Sequence, residues 1–281
     1  MGSDPSTAAL VALLEHAPAA VARLSGGCPR QADTEAILER ELGLFAGAAI
    51  AGAEARLQAW RNRGWSVVSI SDDRYPGLLR ETAEPPPLLF IAGELRADDR
   101  RAVAVVGTRE PSARGRALAA ELTRTLLAAG YTVVSGLAAG IDAVAHRTAL
   151  DAGGRTLAVI GNGLEHRYPP QNAGLQRWIE ADGAVVSQFL PSARPSRRSF
   201  PLRNATMSGL TLATVIVEAS AASGTRVQAR AALSQGRRLL LMPALLANAW
   251  ARDLVGHPGV QVLDNAPAVI GALERSAAVV A

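Results

Sequence analysis

Apolar runs recur along the chain from Arg101 onward, and each is followed by a glycine-containing loop and an Ala- and Leu-rich amphipathic stretch. This alternation predicts βαβ units. The strands are predicted at 102–106, 131–134, 156–160, 184–187, 214–217 and 238–242, with another near 260–263. Most runs are apolar on both faces, which is typical of parallel strands covered by helices on both sides. We therefore predict an α/β fold with an extended Rossmann-like, doubly wound and mostly parallel sheet.

The first part of the chain follows a different pattern. From Thr7 to Arg63, Ala, Leu and Glu dominate, and their spacing predicts short helices. The stretch that starts at Trp65 is rich in β-branched residues and predicts a strand, and the stiff segment Pro85-Pro-Pro87 follows it. We therefore expect two units, a small helical domain over residues 1–64 and a larger domain over residues 65–281.

Composition narrows the class of protein. A chain of 281 residues with 49% hydrophobic and 19% charged residues is typical of a compact globular protein. No apolar stretch approaches the roughly 18 residues needed to cross a bilayer, and Met1 to Thr7 has no basic region of a secretory signal, so we expect a cytoplasmic protein without a membrane segment. The single cysteine, Cys28, and four scattered histidines offer no ligand spacing. We expect neither a metal nor another cofactor.

Every one of the 29 basic residues is arginine, and the net charge is +4. Genomic base composition can explain the absence of lysine. The physical consequence is independent of its cause, because each cation is a planar fork that can bind phosphate bidentately or stack on a base. The charge itself is a mild indication of a polyanionic partner.

Glycines, hydroxyls and arginines occupy the loops that follow the predicted strands. Because parallel strands end at the same edge of a sheet, these loops should converge there. Glycine lets a ligand approach the backbone, Ser and Thr add donors, and a following helix offers its positive N-terminus to an anion. The candidate residues are Gly107, Thr108, Arg109, Arg114, Gly136, Gly140, Gly224 and Thr225. These loops predict a phosphate site, although glycine at strand-to-helix turns is common and neither a dinucleotide fingerprint nor a P-loop is present.

The segment 194–204 combines four arginines with one aromatic residue, and its candidate residues are Arg197, Phe200, Arg203 and Asn204. Arginines beside Phe200 suit a single nucleic-acid strand, because guanidinium groups can follow the backbone while the ring stacks on an unpaired base. On this view Arg109→Ala or Arg203→Ala should lower single-strand affinity. The alternative is that Phe200 belongs to the core and that Arg197 and Arg198 form a solvated turn.

Five motifs in order resemble the DNA-processing protein A (DprA/Smf) family of bacterial single-strand DNA-binding proteins. The resemblance runs from about Trp65 to Val262. It rests on VAVVGTR at 103–109, SGLAAGIDAVAH at 135–146, YPPQN at 168–172, FPLRN at 200–204 and VEASAASGT at 217–225. The chain departs from the family at Pro170 and Gln171, where a basic residue is frequent, and at Ala205, where arginine is frequent.

The resemblance implies an N-terminal sterile-alpha-motif-like domain and an extended Rossmann domain that forms a homodimer and binds single-stranded DNA. It also implies delivery of incoming strands to the recombinase RecA during natural transformation, in competition with single-strand binding protein. The residues whose positions match the family's DNA-binding motifs are Arg109, Arg197, Phe200, Arg203, Asn204, Gly224 and Thr225.

An enzyme remains the alternative, because related Rossmann folds include phosphoribohydrolases that cleave nucleoside monophosphates. Their signature ends in a catalytic glutamate, whereas the chain has Gln228 at that position, after Ser223-Gly-Thr. A neutral amide cannot act as general base or stabilise an oxocarbenium ion as a carboxylate does. We therefore predict a protein without catalytic activity. The pair Asp142 and His146 is expected to buttress a helix, and Glu218 is expected to be structural.

Overall fold

The computed structural model of the protein describes residues 5–21, 31–220 and 224–280. Cys28 and Ser223 lie outside the described residues. The described part of the chain forms a nine-stranded sheet with helices on both faces, which confirms the predicted fold class.

The sheet has the strand order β1-β2-β6-β5-β4-β3-β7-β8-β9. The strands are β1 Trp65–Ser69, β2 Leu88–Gly93, β3 Ala102–Val106, β4 Thr132–Ser135, β5 Thr156–Val159, β6 Ala184–Ser187, β7 Ala213–Ile216, β8 Arg238–Leu241 and β9 Val260–Val262. Strands β3 to β9 are mutually parallel, and each agrees with its predicted run to within one residue at either end.

One strand is missing from the sequence-based prediction. Strand β2 follows the stiff segment Pro85-Pro-Pro87 and pairs antiparallel with both β1 and β6. All of its residues except Gly93 are buried, so it is a continuous apolar run with no alternation to mark it. Such a run of six residues cannot be assigned by periodicity, because a buried helix segment has the same composition.

The helices flank this sheet. They are α1 Pro5–His16, α2 Pro18–Val21, α3 Gln31–Leu42, α4 Ala46–Asn62, α5 Gly77–Arg80, α6 Ala113–Ala128, α7 Ile141–Asp151, α8 Ala173–Asp182, α9 Ser199–Gly209, α10 Thr225–Ser234, α11 Ala249–Arg252 and α12 Ala268–Val280. No helix among the described residues is both long enough and apolar enough to cross a membrane.

The direction of chain travel reverses at the centre of the sheet. From β3 the chain proceeds outward through β4 and β5 to β6, and it then returns to place β7 on the other side of β3. In doubly wound sheets, ligands bind outside the carboxyl ends of the strands at such a switch point. The topology therefore locates the candidate site beyond the ends of β3 and β7.

The N-terminal helices share a hydrophobic core with the sheet. Leu10, Trp60, Phe90 and Ile160 belong to one buried cluster, and the rings of Trp60 and Phe90 meet edge to face with their centroids 5.4 Å apart. This cluster crosses the domain boundary that we predict between residues 64 and 65. The boundary stays a prediction, and the shared core predicts that the two parts unfold together.

Candidate functional site

The loops after β3, β4 and β7 are tied together by backbone hydrogen bonds. The Thr108 N–H donates to the Glu218 carbonyl at 2.7 Å, and the Ile141 N–H donates to the Thr108 carbonyl at 3.1 Å. These bonds join segments that are far apart in the sequence at the switch point. The predicted convergence of these loops is therefore confirmed.

A cavity of about 570 Å³ opens at this point, and we call it the central cleft. Its lining includes Gly107, Thr108, Arg109, Phe200, Arg203, Asn204, Gly224 and Thr225, all of which the sequence singled out, together with Glu110, Asp142 and Gln228. A second cavity of about 260 Å³, the side pocket, is lined by residues that include Gly136, Gly161, Tyr168 and Gln171. Arg109, Phe200 and Arg203 line both cavities.

Three predicted site residues line neither cavity. Arg114 is exposed in the first turn of α6, and Arg197 is exposed just before α9. Gly140 precedes α7 with a φ of 82° and packs against the backbone of Thr108 and Arg109. Whether these three and the cavity-lining residues contact a nucleic acid stays a prediction.

Two of the predicted glycines accommodate the protein's own atoms rather than leaving room for a ligand. A Cβ at Gly136 would lie 2.1 Å from a guanidinium nitrogen of Arg203, and a Cβ at Gly140 would lie 2.3 Å from the Thr108 carbonyl oxygen. Gly224 differs, because nothing among the described residues lies within 4 Å of its Cβ position. The glycines at 136 and 140 therefore let the loops interlock, whereas Gly224 borders open space.

The N-terminus of α6 is occupied by a carboxylate of the protein. Glu218 accepts from the Ser112 N–H at 3.2 Å and from the Ser112 hydroxyl at 2.9 Å. This acceptor role matches the structural role expected for Glu218 and compensates the positive end of the helix. The first turn of α10 lacks an acidic residue and carries Gly224 and Thr225 into the central cleft, so its positive end faces the cavity.

Asp142 and His146 do not form a pair with each other. The Asp142 carboxylate accepts from the N–H groups of Gly136 at 3.2 Å and Ala138 at 3.3 Å. The Nδ1 atom of His146 lies 2.8 Å from the hydroxyl of Thr156, which itself donates to a backbone carbonyl. Burial raises the pKa of Asp142 and lowers the pKa of His146 to about 3. His146 is therefore neutral near pH 7 and supports the start of β5 through Thr156, whereas the Asp142–His146 pair that the sequence led us to expect is not formed.

Arg203 occupies an unusual position for a phosphate-binding residue. It is 8% exposed, and one guanidinium nitrogen donates to the carbonyls of Gly136 and Val159, the latter at 2.8 Å, while Nε donates to the Asn204 side chain at 3.0 Å. Burial lowers the pKa of Arg203, and the Asp142 charge opposes that shift. These contacts favour a structural role over the direct phosphate contact that the sequence suggested.

Phe200 is half-buried between the two cavities. Its ring centroid lies 5.9 Å from that of Tyr168, with the planes tilted by 41°, and the Arg203 guanidinium carbon is 5.9 Å from the ring centroid. Phe200 therefore forms part of the wall of both cavities, and whether its ring stacks on a base stays a prediction. Its aromatic neighbour, Tyr168, belongs to the motif at 168–172 but is not among the candidate residues.

Gln228 lies at the floor of the central cleft. It is 2% exposed, and its side-chain nitrogen donates to the Ser208 hydroxyl at 2.7 Å. The Gln228 side chain is thus directed toward α9. This contact supports a role for Gln228 in packing α10 against α9.

Comparison with known proteins gives consistent matches. The family model described as DNA recombination-mediator protein A matches residues 66–253. The chain is 35% identical over 196 residues to DNA processing protein DprA of Bacillus subtilis, and 41% identical over 175 residues to DNA processing protein DprA of Streptococcus pneumoniae. The alignments cover 69% and 62% of this chain, and 66% and 62% of those relatives, so the chain spans less than two thirds of either.

Two solved structures are also similar. The X-ray structure of DNA processing protein A from Streptococcus pneumoniae is 28% identical, with a TM-score of 0.74, and the match covers 96% of this chain and 98% of that one. The structure that describes the single-stranded DNA binding mode of DNA processing protein A from Helicobacter pylori is 26% identical, with a TM-score of 0.67, and the match covers 75% of this chain and 96% of that one.

Proposed function

The chain belongs to the DNA recombination-mediator protein A family, and from that premise we propose that its central cleft binds single-stranded DNA. The observation that carries the proposal is the position of Arg109 and Phe200, which line both cavities. An exposed guanidinium group suits a phosphate, and a half-buried ring beside it suits an unpaired base. The single-stranded DNA binding mode of the similar protein from Helicobacter pylori supports the same class of ligand.

We assign different tasks to the residues of the cleft. Arg109, together with the Thr108 hydroxyl and the first turn of α10 at Gly224 and Thr225, forms the phosphate-binding part. Phe200 provides the stacking surface. The Arg203 guanidinium carbon lies 5.9 Å from the Phe200 ring centroid and Nε donates to Asn204, and we propose that these two residues hold the ring in place.

The test compares single-stranded and duplex DNA of equal length by fluorescence anisotropy over a range of salt concentrations. Affinity for the single strand should fall with salt by about 0.7 log units per log unit for each phosphate contact. Arg109→Gln should remove about one such contact, while Arg124→Gln, which changes an exposed arginine within α6, should remove none. Binding that does not depend on salt would refute the proposal.

Stacking is tested separately with Phe200. Phe200→Leu keeps an apolar side chain in the wall of the cleft and should weaken single-strand binding by about 1 to 3 kcal/mol if the ring stacks on a base. Duplex affinity should change much less. Equal losses on both ligands would return Phe200 to a purely structural role.

The wider activity is proposed from the family membership. We propose that the chain forms a homodimer in the cytoplasm and delivers single strands to RecA in the presence of single-strand binding protein, during natural transformation or recombination. The name of the family, which describes a recombination mediator, supports this proposal. Light scattering tests the dimer. Assembly of RecA on a strand coated with single-strand binding protein tests delivery, and an unchanged assembly rate with and without the protein would count against it.

We also propose that the protein is not a hydrolase. Gln228 supports this view, because a buried amide bonded to Ser208 offers no carboxylate to the cleft. Incubation with nucleoside monophosphates should release no free base. Release of base at a rate that scales with protein concentration would favour the enzyme instead.

A further inference from the structure

Positive charge is concentrated in one part of the sequence. Residues 183–252 contain nine of the 29 arginines and one acidic residue, Glu218, out of 25. The remaining residues therefore carry twenty arginines and twenty-four acidic residues. Glu218 is held by Ser112 at the start of α6, and residues 183–252 keep an excess of eight positive charges after its charge is counted.

Several arginines outside this part of the chain are paired with carboxylates. Examples are Arg155 with Asp99 at 2.8 Å and Arg167 with Glu180 at 2.6 Å. Arg226 and Arg230 on α10 are both exposed, and no carboxylate of the described residues lies within ion-pair distance of either, as is also the case for Arg124 and Arg147. Their charges are therefore available to an external anion.

Helix α10 presents two different faces. Thr225 and Gln228 line the central cleft, whereas Arg226, Val227 and Arg230 are exposed. Arg226 and Arg230 are four residues apart and hence separated by about 6 Å along the helix axis. This separation suits neighbouring phosphates of an extended strand.

Apolar surface accompanies these cations. Val227 is 42% exposed between the two arginines, and on α9, which packs beside α10, Leu202 is 53% exposed. Cations interleaved with apolar side chains offer a strand contacts for its phosphates and for its bases. We call Arg226, Val227 and Arg230 the α10 strip.

We propose that the α10 strip is a second contact surface for single-stranded DNA, which extends the central cleft by about two phosphates. This inference rests on the proposed function of the cleft. A polyanion is favoured by the unpaired charges, and a nucleic acid is favoured over an acidic protein because the same helix lines the cleft. Because the α10 strip lies on the side of the helix roughly opposite Thr225 and Gln228, a strand that leaves the cleft at Gly224 would pass around the first turn of α10 to reach it.

The experiment uses the full chain and two oligothymidines, one of about 6 nucleotides that fits the cleft and one of about 20 nucleotides. Arg226→Gln combined with Arg230→Gln should lower affinity for the long oligomer about tenfold at low salt and reduce its salt slope by about 1.4. Affinity for the short oligomer should stay within about twofold of the original value. Arg124→Gln combined with Arg147→Gln, which removes two exposed arginines from α6 and α7, should change neither.

Three results would overturn the proposal. The first is an unchanged affinity for the long oligomer, which would leave an acidic protein as the partner of the α10 strip. The second is an equal loss for both lengths, and the third is a change of oligomeric state in light scattering, which would make the strip an interface between copies. Failure of the unmodified protein to bind either oligomer would instead refute the proposed function of the cleft.

Discussion

Arg203 provides the most direct test of how this site is built. Arg203→Met keeps much of the aliphatic volume but removes the guanidinium group that bridges the ends of β4 and β5. The carbonyls of Gly136 and Val159 would each lose a buried hydrogen-bond donor, which costs about 1 to 3 kcal/mol apiece. Asp142, which is 5% exposed, would lose the nearby positive charge that opposes the rise in its pKa.

We expect Arg203→Met to lower the free energy of unfolding by about 2 to 6 kcal/mol, because two buried carbonyls lose their donor at about 1 to 3 kcal/mol each. Urea unfolding followed by circular dichroism near pH 7 measures this loss. Adding Asp142→Asn should return part of it, because the double variant no longer buries an uncompensated carboxylate. A loss below about 1 kcal/mol for Arg203→Met would show that the guanidinium group does not support the loops, whereas losses that simply add would show that Arg203 is not coupled to Asp142.

Binding separates this role from the one suggested by the sequence. If Arg203 contacts no phosphate, the folded double variant Arg203→Met with Asp142→Asn should keep the salt slope of the unmodified protein. A direct contact would instead reduce the slope by about 0.7. Arg109→Gln in the same assay gives the size of the change at the residue that we propose as a phosphate contact.

Further predictions concern the buried groups around the cleft. Between about pH 6.5 and 5 the unfolded chain binds a proton at His146, whereas the folded protein, in which the pKa of His146 is about 3, does not. The free energy of unfolding should therefore fall by about 2 kcal/mol more in the unmodified protein than in His146→Gln over this range. Urea unfolding at each pH measures the difference. Gly140→Ala should lower the free energy of unfolding by more than about 2 kcal/mol and weaken single-strand binding, because Gly140 has a positive φ and the added Cβ would meet the Thr108 carbonyl. Gly224→Ala, with nothing among the described residues within 4 Å of the Cβ position, should change the free energy of unfolding by less than about 0.5 kcal/mol. Gln228→Glu should destabilise the fold by burying a carboxylate and should not create hydrolysis of nucleoside monophosphates. The role of His146 would be contradicted if the stability of His146→Gln depended more strongly on pH than that of the unmodified protein. The account of Gly140 would be contradicted by unchanged stability in Gly140→Ala. Hydrolysis of nucleoside monophosphates by Gln228→Glu would contradict the account of Gln228.

The sequence alone was sufficient to predict the parallel part of the sheet, because strands that are buried on both faces are continuous apolar runs, and glycine-containing loops separate them. The same regularity identified the loops at Gly107, Gly136 and Gly224 as neighbours, since parallel strands end at one edge. The motifs also identified the family, which the comparisons confirm.

Only the tertiary structure decided how those residues divide their tasks. In the sequence, Arg109 and Arg203 are equivalent guanidinium groups. In the structure, Arg109 is exposed in the cleft, whereas Arg203 is buried against carbonyls at the ends of β4 and β5. Likewise Gly136 and Gly224 look alike in sequence, but one faces Arg203 and the other faces open space. Burial and partners depend on packing between segments far apart in the chain, and local periodicity carries no record of that packing.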